Sequence, residues 1–219
     1  MIGLAIIGLI IAAAAYFLLD LGSRVWAESY VAGQIQKSLE MTARPSVSFG
    51  GTLFLPELFG GKISSVEVKA TAFETQGVGF TKVRLHLEDV TYSPIRLVLH
   101  KPSKITAHSG TGEAAMTQFQ LTDAFQAQGV PITVQFTADG NVRVEAARLP
   151  VAATVTATIE EGKLVLRPTN PLFKSISFAI SLPELVPGLT YRSVRFEDQL
   201  GTLRFTLRDA PFEVAQPPG

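Results

Sequence analysis

The sequence predicts an α+β protein dominated by antiparallel strands and mounted behind an apolar N-terminal helix. Three observations carry this reading. Residues 2–19 hold no charged side chain and are mostly Ile, Leu and Ala. Residues 20–41 then repeat apolar side chains at helical spacing, and from Val47 onward the pattern changes to alternation. A chain of 219 residues fits one domain behind such a segment.

The uncharged run has 18 residues, Ile2 to Leu19, and stops at Asp20. Rising 1.5 Å per residue it measures about 27 Å as a helix, close to the roughly 30 Å of a bilayer core. Two readings fit. The run spans a membrane, or it is a signal segment with Ile2 to Ile11 as the apolar region and Ala12 to Ala15 as a small-residue exit. No Lys or Arg precedes it, so the basic n-region of a secretory signal is missing. Residues 1–19 are therefore expected to be a transmembrane anchor or uncleaved signal. The domain that follows is expected on the extracytoplasmic side of the cytoplasmic membrane, on a single-pass chain.

Residues 20–41 continue as a second helical stretch. Leu21, Val25, Ala32, Ile35 and Leu39 form its apolar side, and Glu28, Gln34, Gln36, Lys37 and Glu40 its polar side. Trp26 and Tyr30 follow the apolar run closely, where amphipathic rings favour a bilayer interface. Ordinary core packing explains them equally well. Pro45 closes the helical possibility.

The alternating segments include Val47/Phe49, Val66/Val68/Ala70, Val83/Leu85/Leu87, Ile132/Val134/Phe136 and Val142/Val144. Further on come Val151/Ala153/Val155/Ala157/Ile159, Leu164/Leu166, Ile176/Phe178/Ile180, Val194/Phe196 and Leu203/Phe205/Leu207. Their neighbours are largely polar, the mark of antiparallel strands with one buried and one wet face. Turns are expected at Gly50-Gly51, Gly60-Gly61, Asp139-Gly140-Asn141, Glu161-Gly162 and Pro187-Gly188, with a hairpin at Asp139-Gly140. One more helix is expected over residues 117–128, with Phe119, Leu121 and Phe125 as its apolar contacts. Residues 214–219 read as a loose tail. Some ten apolar strand faces meet only one or two covering helices. Either the strands cover each other, or part of their surface is left for a ligand.

Composition narrows the function. Nineteen basic residues balance nineteen acidic ones, which argues against nucleic acid as a partner. With no cysteine there is no disulfide, thiolate ligand or thiol nucleophile. Phe59-Gly60-Gly61-Lys62-Ile63 imitates the end of a phosphate loop, but Pro56 and Ile63 stand where that motif needs Gly and Ser or Thr. Gly110-Thr111-Gly112-Glu113-Ala114-Ala115 fits a loose dinucleotide pattern without a βαβ frame. His86, His100 and His108 lack metal-site spacing. No nucleophile elbow or triad frame is visible. No catalytic residue, metal or cofactor is expected.

Basic side chains do cluster. Between Asp89 and Glu113 there is no acid, while Arg96, Lys101 and Lys104 stand among Ile95, Leu97, Val98 and Leu99. A second acid-free stretch carries Lys163, Arg167 and Lys174. Such stretches are solvated loops or docking points for lipid phosphates.

Several stretches together resemble the LmeA-like phospholipid-binding family of bacterial cell envelopes. They are Ala27-Glu28-Ser29-Tyr30-Val31-Ala32 leading to Arg44-Pro45-Ser46-Val47-Ser48-Phe49-Gly50-Gly51, and Phe54-Leu55-Pro56-Glu57-Leu58-Phe59-Gly60-Gly61-Lys62. The short helix near Thr117 to Phe125, and Leu182-Pro183-Glu184-Leu185-Val186-Pro187-Gly188-Leu189 with Val194, complete the set. The resemblance implies a curved antiparallel sheet wrapped around the long helix, with an apolar groove for acyl chains, over a domain of residues 20–213. It implies non-enzymatic binding or transfer of phospholipid or a lipoglycan precursor. The alternative is an assembly scaffold for an envelope glycosyltransferase that uses its surface instead. In the groove reading, Val68, Leu85, Val144, Leu166, Phe178 and Phe205 meet the lipid tail, and Arg96, Lys101 and Lys104 meet the headgroup. The expected partners are an acyl lipid and the membrane.

Overall fold

The computed structural model describes residues 2–39, 41–95, 104–137, 140–146, 152–173, 175–185, 188–197 and 199–213, with side chains from Tyr16 onward except those of Ser38, Phe212 and Glu213. The chain opens with one continuous helix, α1 (Ile2–Ser38), so the apolar run and the expected second helix are a single rod. Then come β1 (Ser46–Phe49), α2 (Phe54–Gly60), β2 (Lys62–Thr75), β3 (Val78–Thr91), β4 (Lys104–Thr117) and α3 (Gln118–Ala127). The remainder is β5 (Ile132–Phe136), β6 (Val142–Ala146), β7 (Ala153–Glu160), β8 (Lys163–Pro168), β9 (Phe178–Ser181), β10 (Leu189–Glu197) and β11 (Leu200–Glu213).

The fold is α+β and rich in antiparallel strands, but the strands form two sheets instead of one. A six-stranded sheet has the order β1-β2-β3-β4-β11-β10, and a five-stranded sheet runs β5-β6-β7-β8-β9. The two share one continuous apolar core that reaches from Val47 and Phe54 to Leu166 and Ile180. Several turns sit where expected. Phe136 pairs with Val142 across the Asn141 turn, and Glu161 and Gly162 both take positive φ, 49° and 75°, as a two-residue hairpin requires.

The helix enclosed by a sheet is α3, which corrects the expectation for the long helix. Its side chains reach both edges of the five-stranded sheet. Thr122 Oγ1 accepts from Val134 N (3.0 Å) and Gln118 Oε1 from Phe136 N (3.1 Å) on the β5 edge. On the β9 edge, Gln128 exchanges two bonds with Ser181, at 3.0 and 2.9 Å. A sheet whose two edges both meet one short helix must curl around it, and these bonds satisfy edge groups that would otherwise invite pairing. Thr117 caps α3 with a reciprocal box to Gln120. Leu121, Ala124 and Phe125 are buried, while Phe119, expected as a core contact, is exposed because it lies on the opposite face.

The six-stranded sheet bends where the alternation slips. Asp89 and Asp209 take positive φ, 50° and 47°, on either side of His108 in β4. Leu87 and Val90 are both buried, as are Leu207 and Ala210, so inward-facing parity changes across that line. Gly110 and Gly112, the imitation of a dinucleotide loop, lie mid-strand in β4, where a Cβ on Gly112 would overlap the Phe205 ring. The imitation phosphate loop is the end of α2: Gly61 closes the helix at φ 71°.

Candidate functional site

The face of α1 turned to the protein is mixed: Ala27, Val31, Ala32 and Ile35 pack against the core, and charged side chains join them toward residue 20. Asp20, Arg24 and Glu28, four residues apart and thus on one stripe, meet the backbone of the segment between β1 and α2. Phe49 N–H donates to Glu28 Oε1 at 2.8 Å and Arg24 Nη2 to Gly51 O at 3.0 Å. Arg24 also lies over the Phe54 ring, 5.9 Å from its centroid. Leu53, the N-cap residue of α2, supplies no side-chain acceptor. Asp20 supplies it instead: its carboxylate accepts from Phe54 N at 3.0 Å and Leu55 N at 2.6 Å. These two bonds hold the Asp20 carboxyl below its ordinary pKa, since they favour the charged form. Asp20 is buried, and its partners are what makes that tolerable.

This packing turns part of the expected apolar stripe outward. Ala32 is buried and Ile35 half-buried, but Leu21 is 59% exposed, and Val25 and Leu39 are exposed as well. Tyr16, Phe17, Leu18 and Leu19 are exposed together, so the helix leaves the body of the domain with apolar side chains on every side. Trp26, 69% exposed, stacks on Tyr30 at 5.5 Å. The two rings border a shallow cleft of about 270 Å³ that Lys37 and Arg44 also line, with the Arg44 guanidinium bonded to Ser29. Exposed apolar surface of this extent marks contact with a partner or a membrane. Among the described residues, no helix is long and apolar enough to cross a membrane.

At the same end lies α2. Pro56 stands in its first turn, where a missing N–H costs nothing, and that hid the helix in a sequence reading. Tyr92 fixes its C-terminus, its hydroxyl donating to Leu58 O at 2.6 Å and its N–H to Gly61 O at 2.9 Å. Burial pushes the Tyr92 hydroxyl up to about 12, so it stays a donor. Only glycine fits at position 61, because a Cβ would lie 2.6 Å from Tyr92 O and 2.9 Å from Pro94 Cδ.

Of the expected groove residues, Val68, Leu85 and Phe205 lie in one cross-strand row of the six-stranded sheet, with Gly112 between Leu85 and Phe205. Val68 and Leu85 are half-buried; Phe205 is buried. Leu166 and Phe178 are direct partners in the five-stranded sheet, and Val144 lies two strands away from Leu166, across β7. Leu166 and Val144 are buried in the shared core and Phe178 is half-buried. Lys104 is exposed at the start of β4; Arg96 and Lys101 lie outside the described residues. The outward stripe of α1 and the α2 tip were missed, because the bonds that orient them run from residues 20–28 to residues 49–55.

A family model described as LmeA-like phospholipid-binding matches residues 18–216, nearly the whole chain. No curated protein and no solved structure matches it.

Proposed function

Because the chain belongs to the LmeA-like phospholipid-binding family, we propose that it binds phospholipid, without catalysing a reaction, beside a membrane that holds its first helix. The outward apolar residues of α1 carry the reading: a helix exposed and apolar all round at residues 16–19 needs a covering medium that the described residues do not provide. Residues 2–19 act as the anchor, and the domain stands on the extracytoplasmic side, where it holds or transfers phospholipid or a lipoglycan precursor.

The acyl chain lies along the Val68–Leu85–Phe205 row. It enters where Val68 and Leu85 are half-buried, and the Phe205 ring turns off Gly112 to make room. Val144, Leu166 and Phe178 continue the apolar lining in the second sheet. The headgroup meets Arg96, Lys101 and Lys104. Each buried CH₂ contributes about 0.8 kcal/mol, so a side chain that displaces two of them weakens binding about tenfold.

Uptake of a fluorescent phospholipid from donor vesicles by the full-length protein in detergent tests this. Saturable uptake is expected, lowered about tenfold in Leu85→Trp with an unchanged melting curve. Parent-like uptake in a folded Leu85→Trp variant removes this row from the site, and no uptake by the parent removes the lipid-binding reading. Replacing Arg96, Lys101 and Lys104 by Gln should weaken binding to acidic vesicles roughly a hundredfold at low salt. The difference should shrink as salt is added, since attraction between exposed charges is screened beyond about 10 Å at 0.1 M. Equal affinity for acidic vesicles before and after the triple change would leave the headgroup elsewhere.

A further inference from the structure

We infer that the α2 end of the domain is a second membrane contact, in which Phe59 and Ile95 insert at the headgroup–acyl boundary while Lys104 faces the anionic lipid surface. The inference rests on the proposed anchoring of α1.

Position comes first. Asp20 is the first charge after the uncharged run, so in an anchored chain it lies at the bilayer boundary. Its carboxylate accepts from Phe54 N and Leu55 N, which places the first turn of α2 level with that boundary. Phe59 follows Leu55 by four residues, about 6 Å along a helix axis. Ile95 belongs to the same end, because Tyr92 is bonded to Leu58 and Gly61, and Pro94 packs against Gly61. β1 leads from α2 back along α1, as the contacts Glu28–Phe49, Arg24–Gly51 and Asp20–Phe54 succeed one another, so the rest of the domain rises away from this end.

Chemistry agrees with position. Phe59 is 76% exposed and Ile95 71%, although their neighbours Leu58 and Tyr92 turn inward. A single exposed apolar residue is ordinary. Two that flank one glycine turn, beside the exit of an apolar helix, form a surface matched to an interface. Lys104 starts the strand next to β3 at this end and faces solvent. A bilayer is the occupant these features favour over a protein, because α1 brings it to the same level.

The chain has no cysteine, so single-cysteine variants carry one probe each. Phe59→Cys, Ile95→Cys and Leu18→Cys would be spin-labelled in the full-length protein and reconstituted into vesicles containing phosphatidylglycerol. Leu172→Cys is the water reference, because Leu172 is 83% exposed in the Pro171–Phe173 turn of the other sheet. Depth is read from relaxation by oxygen against a water-soluble nickel chelate. The expected result is a deep label at 18, shallow but lipid-exposed labels at 59 and 95, and a fully aqueous one at 172. Labels at 59 and 95 that match 172, with 18 in lipid, overturn the docking and leave the anchor standing. A label at 18 that matches 172 overturns the anchor and this inference with it. Labels at 59 and 95 shielded from both relaxants mean that protein covers the tip, which also overturns the inference.

Discussion

α1 and α3 perform the same task on their sheets and differ in where they send their apolar side chains. Each ties an edge strand through side-chain bonds to backbone N–H groups: Glu28 to β1, Thr122 and Gln118 to β5. In α3 the apolar residues Leu121, Ala124 and Phe125 go inward, as they do in any helix stabilised by a water-excluding core. In α1 the inward face combines Ala27, Val31, Ala32 and Ile35 with the charged Asp20, Arg24 and Glu28, and the larger apolar residues Leu21, Val25 and Trp26 face out. Burying Asp20 is tolerable because two N–H groups meet it; leaving the apolar stripe in water has no such compensation. The outward apolar residues of α1 are what supports the proposed anchoring, and α3 has no counterpart to them beyond Phe119.

That contrast can be broken at four points. The largest effect is expected from Arg at Leu9 and Ala13, which tests the proposed anchor: an Arg at the centre of a membrane helix costs about 2.5–3.5 kcal/mol on insertion scales. The pair should lower the membrane-bound fraction, measured by flotation in high salt, roughly a thousandfold or more. Next, Phe125→Ala in α3 should cost about 3–5 kcal/mol in urea unfolding. Leu21→Ser, on the outward stripe, should stay within about 0.5 kcal/mol in detergent. If the two changes cost alike, the α1 stripe is packed on protein and the contrast fails.

A smaller effect belongs to the cap. Thr117→Ala removes the hydroxyl that accepts from Gln120 N at the start of α3 and should cost about 1 kcal/mol, seen as a lower urea midpoint at unchanged slope. The smallest concerns Asp20. Its folded pKa lies below the ordinary 3.8, so its contribution is full above that value and is lost as pH falls through the lower folded one. Asp20→Asn should therefore flatten part of the stability loss below about pH 4 and lower stability at neutral pH. An unchanged acid limb would mean that Asp20 does not hold α2.

Much of the strand content was legible because burial at period two is a local pattern, as in Val142/Val144 and Leu203/Phe205/Leu207. The bends at Asp89 and Asp209 were not, since positive φ at a non-glycine residue is imposed by neighbouring strands. α2 hid behind Pro56 and two glycines. The orientation of α1 was legible only in part: Ala32 and Ile35 of the apolar stripe meet the core, but Leu21, Val25 and Leu39 do not, because partners some 20 to 35 residues away decide which way the helix faces. For Trp26 and Tyr30 the sequence left interfacial rings and core packing as equal alternatives; the two stack on the exposed side, away from the core. Val144, Leu166 and Phe205 were legible as inward-facing, and the Val68–Leu85–Phe205 row needed the strand register to appear.

Lipid binding itself is tested most directly by native mass spectrometry of the full-length protein extracted from membranes in mild detergent. The expected spectrum shows the folded chain carrying an adduct of phospholipid mass, which fragmentation releases as lipid, and which is depleted in folded Leu85→Trp. A parent protein that is folded, retains residues 1–19 and flies only at its bare mass would contradict phospholipid binding.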